Sequence, residues 1–168
     1  MKMIKKFELD LSSKITMFGI ELFRIKALIS FDNVKKGELG GYVEKEENLS
    51  HSGNAWVSGN AWVSGNARVS GDARVYGDAR VYGDAEVYGN AEVSGDAEVS
   101  KLNDYIVFKN NWSSGRYFTY TRSNKMWKVG CFYGTGEELI KKAYQDSKDS
   151  GKHYEAYVNL VKTLEQEE

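Results

Sequence analysis

From Gly53 to Ser100 the apolar and polar positions follow one six-residue phrase, written eight times without interruption: GNAWVS, GNAWVS, GNARVS, GDARVY, GDARVY, GDAEVY, GNAEVS, GDAEVS. Ala and Val flank one variable residue in each phrase, so they share one face of an extended strand and the variable residues share the other. Each Gly-Asn or Gly-Asp reads as a turn. Six residues are too few for a conventional hairpin sheet, and one such unit buries almost nothing alone; stacked units build a common core. The pattern predicts a three-sided coil in which every face is a short strand and every Gly-Asn or Gly-Asp is a corner.

The chemistry of the variable positions changes every third unit. Ser58, Ser64 and Ser70 give way to Tyr76, Tyr82 and Tyr88, and then to Ser94 and Ser100, while Asn54, Asn60 and Asn66 give way to Asp72, Asp78 and Asp84. A coil of 18 residues accounts for both changes at once. In that register Trp56 lies over Arg74 and Arg74 over Glu92, Trp62 over Arg80 and Arg80 over Glu98, and Arg68 over Glu86. Coils about 4.8 Å apart bring a cation over an aromatic face and a carboxylate beside that cation. Each exposed contact contributes only about 0.5–1 kcal/mol, so these columns set register more than stability.

The end coils of such a stack present unpaired strand edges, which need covering. Before the repeat, Phe7, Leu9 and Leu11 alternate with other residues, as do Phe23, Ile25, Ala27, Ile29 and Phe31, the period of half-buried strands. Residues 1–48 are therefore expected to form an N-terminal β cap over the first edge of a β-helix at 49–100. Residues 101–168 read as a β-then-α domain. YIVFK, RYFTYTR and KMWKVGCF are predicted strands, and Thr135 with Glu138 forms a capping box for a helix burying Leu139, Ile140, Ala143 and Tyr144. A second helix is expected after Gly151, with Tyr154, Tyr157, Val158 and Val161 inward. The expected fold class is mainly β: a parallel β-helix of about three coils, an N-terminal β cap, and a C-terminal β-sheet with two helices.

The spacing of Val, small residue and Gly resembles the hexapeptide repeat of left-handed parallel β-helices, where three units make one coil. The flanks, LFRIKAL with GELGGYVEKEENLS before the repeat and YIVFKNNWSSGR with FTYTRSNKMWKVGCFYGTGEELIKKAY after it, resemble phage and prophage proteins of Gram-positive bacteria. The first resemblance implies handedness and brings acyltransferases to mind; the second implies an accessory factor acting on a bacterial host protein.

Charge is nearly balanced overall, with a formal net charge of −1, but it is unevenly placed. Residues 41–100 hold 4 basic and 10 acidic side chains, and residues 101–130 hold 6 basic and 1 acidic. Cys131 is the sole cysteine, which excludes an internal disulfide and fits a reducing compartment. The start of the chain lacks a signal-peptide apolar core, and the apolar stretch from Ile15 to Ile29 is broken by Glu21, Arg24 and Lys26, so a cytoplasmic protein is expected.

Hexapeptide acyltransferases usually break the repeat with a loop and use a histidine as general base. Here the repeat is unbroken and the histidines are His51 and His153. His51 reads as the occupant of a valine slot in an imperfect leading unit, ENLSHS. No catalytic residues, metal site or cofactor are expected; the carbonic-anhydrase branch of this fold needs several histidines for its zinc. GTGEE lacks the Lys-Ser or Lys-Thr ending of a phosphate loop, and Cys131 reads as a small core residue.

Two binding surfaces are expected. One is the repeat flank: Trp56, Trp62, Arg68, Arg74, Tyr76, Arg80, Tyr82 and Tyr88. The other is a basic aromatic segment of Lys109, Trp112, Arg116, Tyr117, Tyr120, Arg122, Lys125 and Lys128, whose types suit protein interfaces and also phosphate contacts with base stacking. Rows of Asp72, Asp78, Asp84, Glu86, Glu92 and Glu98 imitate a phosphate array, diluted by Arg68, Arg74 and Arg80. The expected function is non-catalytic protein binding. Its concrete form, implied by the resemblance, is an anti-CRISPR-like inhibitor whose partner is a nucleic-acid-handling defence protein. Direct nucleic-acid binding, a trimeric acyltransferase and a structural virion or assembly component stay open, as does homo-oligomerisation.

Overall fold

The computed structural model describes residues 2–167. It divides into two compact units, Met1–Ile106 with Thr121–Asn124, and Val107–Tyr120 with Lys125–Glu168.

The first unit is a parallel β-solenoid of about three coils. Its eight strands each hold two residues: β4 (Trp56–Val57), β5 (Trp62–Val63), β6 (Arg68–Val69), β7 (Arg74–Val75), β8 (Arg80–Val81), β9 (Glu86–Val87), β10 (Glu92–Val93) and β11 (Glu98–Val99). Face one stacks β4, β7 and β10; face two stacks β5, β8 and β11; face three pairs β6 with β9. Trp56 pairs with Arg74, Arg74 with Glu92, Trp62 with Arg80, Arg80 with Glu98, and Arg68 with Glu86, the columns expected from an 18-residue coil. No Ala or Val of the repeat is more than 1 % exposed. The corner glycines from Gly53 to Gly95 all have φ between 63° and 71°, a left-handed conformation that glycine adopts without steric cost. Asn54, Asn60 and Asn66 donate side-chain hydrogen bonds to Asp72, Asp78 and Asp84 at 3.1–3.2 Å, which explains why amide corners stack on carboxylate corners.

Ahead of the solenoid, β1 (Phe7–Met17) and β2 (Ile20–Ala27) form a hairpin, and β3 (Leu39–Val43) pairs antiparallel with β2 and parallel with β5. Face two thereby becomes part of a six-stranded sheet in the order β1-β2-β3-β5-β8-β11. The Gly40-Gly41 pair permits this docking: a Cβ on Gly41 would stand 2.6 Å from the Ala61 carbonyl oxygen. The alternation from Phe23 to Phe31 stops earlier than its pattern suggests. β2 ends at Ala27, Ile29 is 37 % exposed, and Phe31 instead bridges Val34.

Successive coils are joined by parallel ladders, in which bonds such as Trp56 N–H to Ala73 and Ser58 N–H to Val75 tie each coil to the next. The end coils are left with backbone groups that have no further coil to pair with, and buried backbone groups need partners. On face one, Lys6 Nζ donates to the carbonyls of Gly53 (3.2 Å) and Ala55 (2.7 Å). On face two, β3 and the residue after it donate from Tyr42 and Glu44 to Ala61 and Val63. On face three, Asn48 Nδ2 donates to Gly65 (3.2 Å) and Ala67 (2.8 Å), and the Ser50 N–H to Val69.

The lead-in to the repeat departs from its period. Val43 pairs with Val63 and Leu49 with Val69, both 20 positions apart, because the stretch from Leu49 to the next valine slot, Val57, is two residues longer than a repeat unit, while the turn with the 3-10 helix at Glu46–Asn48 keeps the ordinary length. Leu49, not His51, therefore fills the first valine slot. This corrects the strict-period assignment.

The second unit contains a four-stranded antiparallel sheet in the order β12 (Tyr105–Lys109), β13 (Tyr117–Thr121), β14 (Met126–Val129), β15 (Phe132–Gly134), followed by α1 (Gly136–Asp146) and α2 (Lys148–Gln166). Phe118, Tyr120, Trp127 and Val129 of the sheet meet Leu139, Ala143, Tyr154, Val158 and Val161 of the helices in its core. The Thr135–Glu138 capping box is present in both directions.

Two expectations are corrected in this unit. KMWKVGCF is a hairpin and not one strand: Gly130, at φ 56°, turns the chain, and Cys131 in the turn is exposed. The second helix begins at Lys148, capped by Ser147, so Gly151 lies inside it. The missing side chain there leaves room for the Tyr144 ring.

Candidate binding surfaces

The tryptophan end of the repeat flank is covered. Trp56 is 5 % and Trp62 7 % exposed, because the N-terminal segment folds over the outward columns as well as over the first edge. Phe31 packs edge-on against Trp56 at 5.4 Å, and Phe18, at the β1–β2 turn, tilts against Trp62 at 6.3 Å. Arg74 is claimed by Asp32, in an ion pair, and by Asn33. Arg80 lies between the Phe18 and Trp62 rings at 5.6 and 6.0 Å and pairs with Glu98 at 3.3 Å. Tyr82 leans on Trp62 at 6.1 Å, and burial pushes the Tyr76 hydroxyl, which donates to Glu92 at 3.4 Å, up to about 12. These side chains hold the cap to the solenoid.

Face three carries the flank residues that stay open. Arg68 and Glu86 are exposed and Tyr88 is 52 % exposed. At its N-terminal end a shallow cleft of about 320 Å³ is lined by Met3, Glu46, Leu49, Ser50, His51 and Arg68, among others. Sequence reasoning treated all three columns alike, since nothing in a repeat says which faces a flanking segment will cover.

His51 borders that cleft, but both its ring nitrogens are engaged. Nδ1 accepts the Lys6 backbone N–H at 3.1 Å, so the proton sits on Nε2, which bonds Glu46 Oε1 at 2.7 Å. Phe7 stacks on the ring at 4.3 Å. The His51 hydrogen bond, outweighing partial burial, holds the Glu46 carboxyl below its ordinary range. Lys6 is 1 % exposed, and burial, opposed by the Asp72 charge, pushes its amine down to about 8. Neither Lys6 nor Asn48 stood out in the sequence, where one is a lysine before an alternating strand and the other a turn-forming asparagine.

The basic aromatic segment separates into parts. Tyr120 is buried, its hydroxyl donating to Glu165 at 2.9 Å, and Lys125 pairs with the same carboxylate at 3.0 Å. Arg122 belongs to the first unit, where it donates to the Asn103 carbonyl. Lys109, Trp112, Arg116, Tyr117 and Lys128 remain together at the end of the sheet where the β12–β13 and β14–β15 turns lie. Lys109 Nζ stands 5.5 Å from the Tyr117 ring centre, the Arg116 side chain lies along Gly130, and Lys128 Nζ donates to the Gly130 carbonyl at 2.5 Å. Tyr133, opposite Lys128 across the hairpin and 38 % exposed, joins them. It was missed because its segment read as one continuous strand.

Residues 63–75 and 67–87 match a family model described as YdcK Beta solenoid repeat, in agreement with the stacked coils. No curated protein matches the chain. Among the described residues, no cluster of three or more His, Cys, Asp or Glu is placed to hold a metal ion, and no helix is long and apolar enough to cross a membrane.

Proposed function

We propose that this chain is a non-catalytic binding protein that engages another protein through face three of its solenoid. The observation that carries this reading is that Arg68, Glu86 and Tyr88 stay exposed beside the paired strands of face three while the tryptophans of the other two faces are covered. Arg and Tyr are enriched among residues that dominate protein interfaces, and a rigid support lowers the ordering cost of binding. The engagement of both His51 nitrogens supports a structural role for the one histidine beside the solenoid. The resemblance of the flanks to phage and prophage proteins makes the concrete version an inhibitor of a bacterial defence system, acting in the host cytoplasm on a nucleic-acid-handling effector.

The test is a comparison of the full chain with a Tyr88→Asp, Arg68→Glu double variant. Under this reading a stoichiometric host protein co-purifies with the first and is lost with the second, and the variant no longer suppresses the defence activity. Equal retention by both proteins would sink the face-three assignment. Acyl transfer by purified protein that disappears in His51→Ala would sink the non-catalytic reading.

A further inference from the structure

The second unit carries a surface that protein binding by the solenoid leaves unused. From Tyr105 to Gly136 the chain contains no Asp or Glu. At the turn end of its sheet, Lys109 and Arg116 have no carboxylate partner among the described residues, and Lys128 adds a third cation beside Gly130. The charge of Lys109 and Arg116, without a carboxylate partner among the described residues, favours a polyanion.

The aromatic content narrows the choice. The exposed large hydrophobic side chains of this sheet end are Trp112 at 80 %, Tyr117 at 41 % and Tyr133 at 38 %, all of them planar rings and none aliphatic. Rings interleaved with cations match successive bases and phosphates of a single strand, since every base has a face to stack and every link a charge. A docking acidic protein would instead meet little aliphatic surface to bury.

Trp112 is also held ready. Asn110 is fully buried and fastens the loop from within: Oδ1 accepts from the Trp112 and Ser113 N–H groups and the Tyr157 hydroxyl, and Nδ2 donates to the Ser113 and Ser114 hydroxyls. The Asn110 N–H donates to Arg116, and Gly115 N–H returns to the Asn110 carbonyl at 2.7 Å. A loop so thoroughly bonded holds an indole in water without burying it, and the ordering cost of a stacking platform is met before any ligand arrives.

We infer that Lys109, Trp112, Arg116, Tyr117, Lys128 and Tyr133 form a binding surface for single-stranded nucleic acid, read through backbone charge and base stacking and not through sequence. Trp56, Trp62 and Trp127 are buried, so the exposed emission of the intact chain reports on Trp112. Titration with oligothymidylate of ~20 nucleotides is expected to quench that emission. Affinity should fall with salt at a log–log slope of about −2, from ~0.7 for each of three phosphate contacts. Trp112→Ala and Tyr117→Ala should each weaken binding at least about tenfold, and Arg116→Glu with Lys128→Glu should abolish it. Trp112→Ala must leave the buried-tryptophan emission and the far-ultraviolet circular dichroism unchanged, which separates lost binding from lost folding. The proposal is overturned if no binding appears at low salt, or if duplex DNA of equal charge binds as tightly. Polyglutamate binding as tightly, with Trp112→Ala without effect, would overturn it in favour of an acidic protein partner.

Discussion

The two ends of the solenoid are capped by different side chains in different surroundings. At the N-terminal end the backbone presents carbonyls, and the side chains sent to meet them are donors: the Lys6 amine and the Asn48 amide, 1 % and 0 % exposed. At the C-terminal end the caps are mixed: the Tyr105 hydroxyl donates to the Glu86 carbonyl at 2.7 Å, and other side chains accept from N–H groups. Asp104 Oδ2 takes the N–H groups of Ser100 (2.8 Å) and Lys101 (3.0 Å), and Ser123 Oγ takes that of Glu98 (2.8 Å). Asp104 is half-buried and Ser123 exposed. Both ends of the parallel stack therefore need side-chain partners, and the ends differ in how far those partners are buried. One end is capped dry and the other within reach of water, so equal losses of hydrogen bonds should have unequal consequences.

The largest effect is expected from Asn48→Leu, which strands the carbonyls of Gly65 and Ala67 away from water. It should destabilise the solenoid by about 3 kcal/mol in chemical denaturation and speed amide exchange in the first coil. A loss below ~1 kcal/mol would show that the dry end tolerates unpaired carbonyls. Lys6→Met should cost slightly less, about 2–3 kcal/mol, because a flexible thioether keeps the packing while losing both donors. At the wet end, Asp104→Ala should cost only about 1–2 kcal/mol, since water can reach the freed N–H groups. A cost equal to that of Asn48→Leu would erase the distinction. Ser123→Ala should cost about 0.5 kcal/mol or less, at the limit of measurement.

Lys6 offers a pH test of the same contrast. Its folded amine is pushed down to about 8 by burial, below the ordinary lysine value of about 10.4, so between those values the unfolded chain binds more protons and stability contributed by this group rises with pH. The neutral amine keeps two N–H donors for its two carbonyls, so the cap survives deprotonation. The stability difference between the natural chain and Lys6→Met should widen from pH 8 to pH 10. A flat difference would mean that Lys6 stays charged and hydrated.

Sequence alone decided much of the solenoid. A phrase with Ala and Val on one side, Gly at each corner and a chemical change every third unit admits a single stacking, because shifting one coil against the next would break the Asn–Asp and Arg–Glu columns together. The Thr135–Glu138 cap and the inward positions Leu139, Ala143, Tyr154, Val158 and Val161 were equally legible, since they depend on neighbours three and four residues away, but Tyr144, expected to face inward, is 42 % exposed. What tertiary structure alone decided was coverage. A repeat presents three equivalent faces, and only the folded N-terminal segment, laying Phe18, Phe31 and Asp32 over Trp62, Trp56 and Arg74, determines that the tryptophan ends of two faces are covered while the outward column of the third stays exposed. The same holds for His51, displaced from the valine slot by two extra residues between Leu49 and Val57, and for Tyr120 and Lys125, drawn from a basic aromatic run to Glu165 on a distant helix. Local spacing fixes which way a side chain points within its own element. Which segment arrives to cover it depends on contacts between residues far apart in the chain.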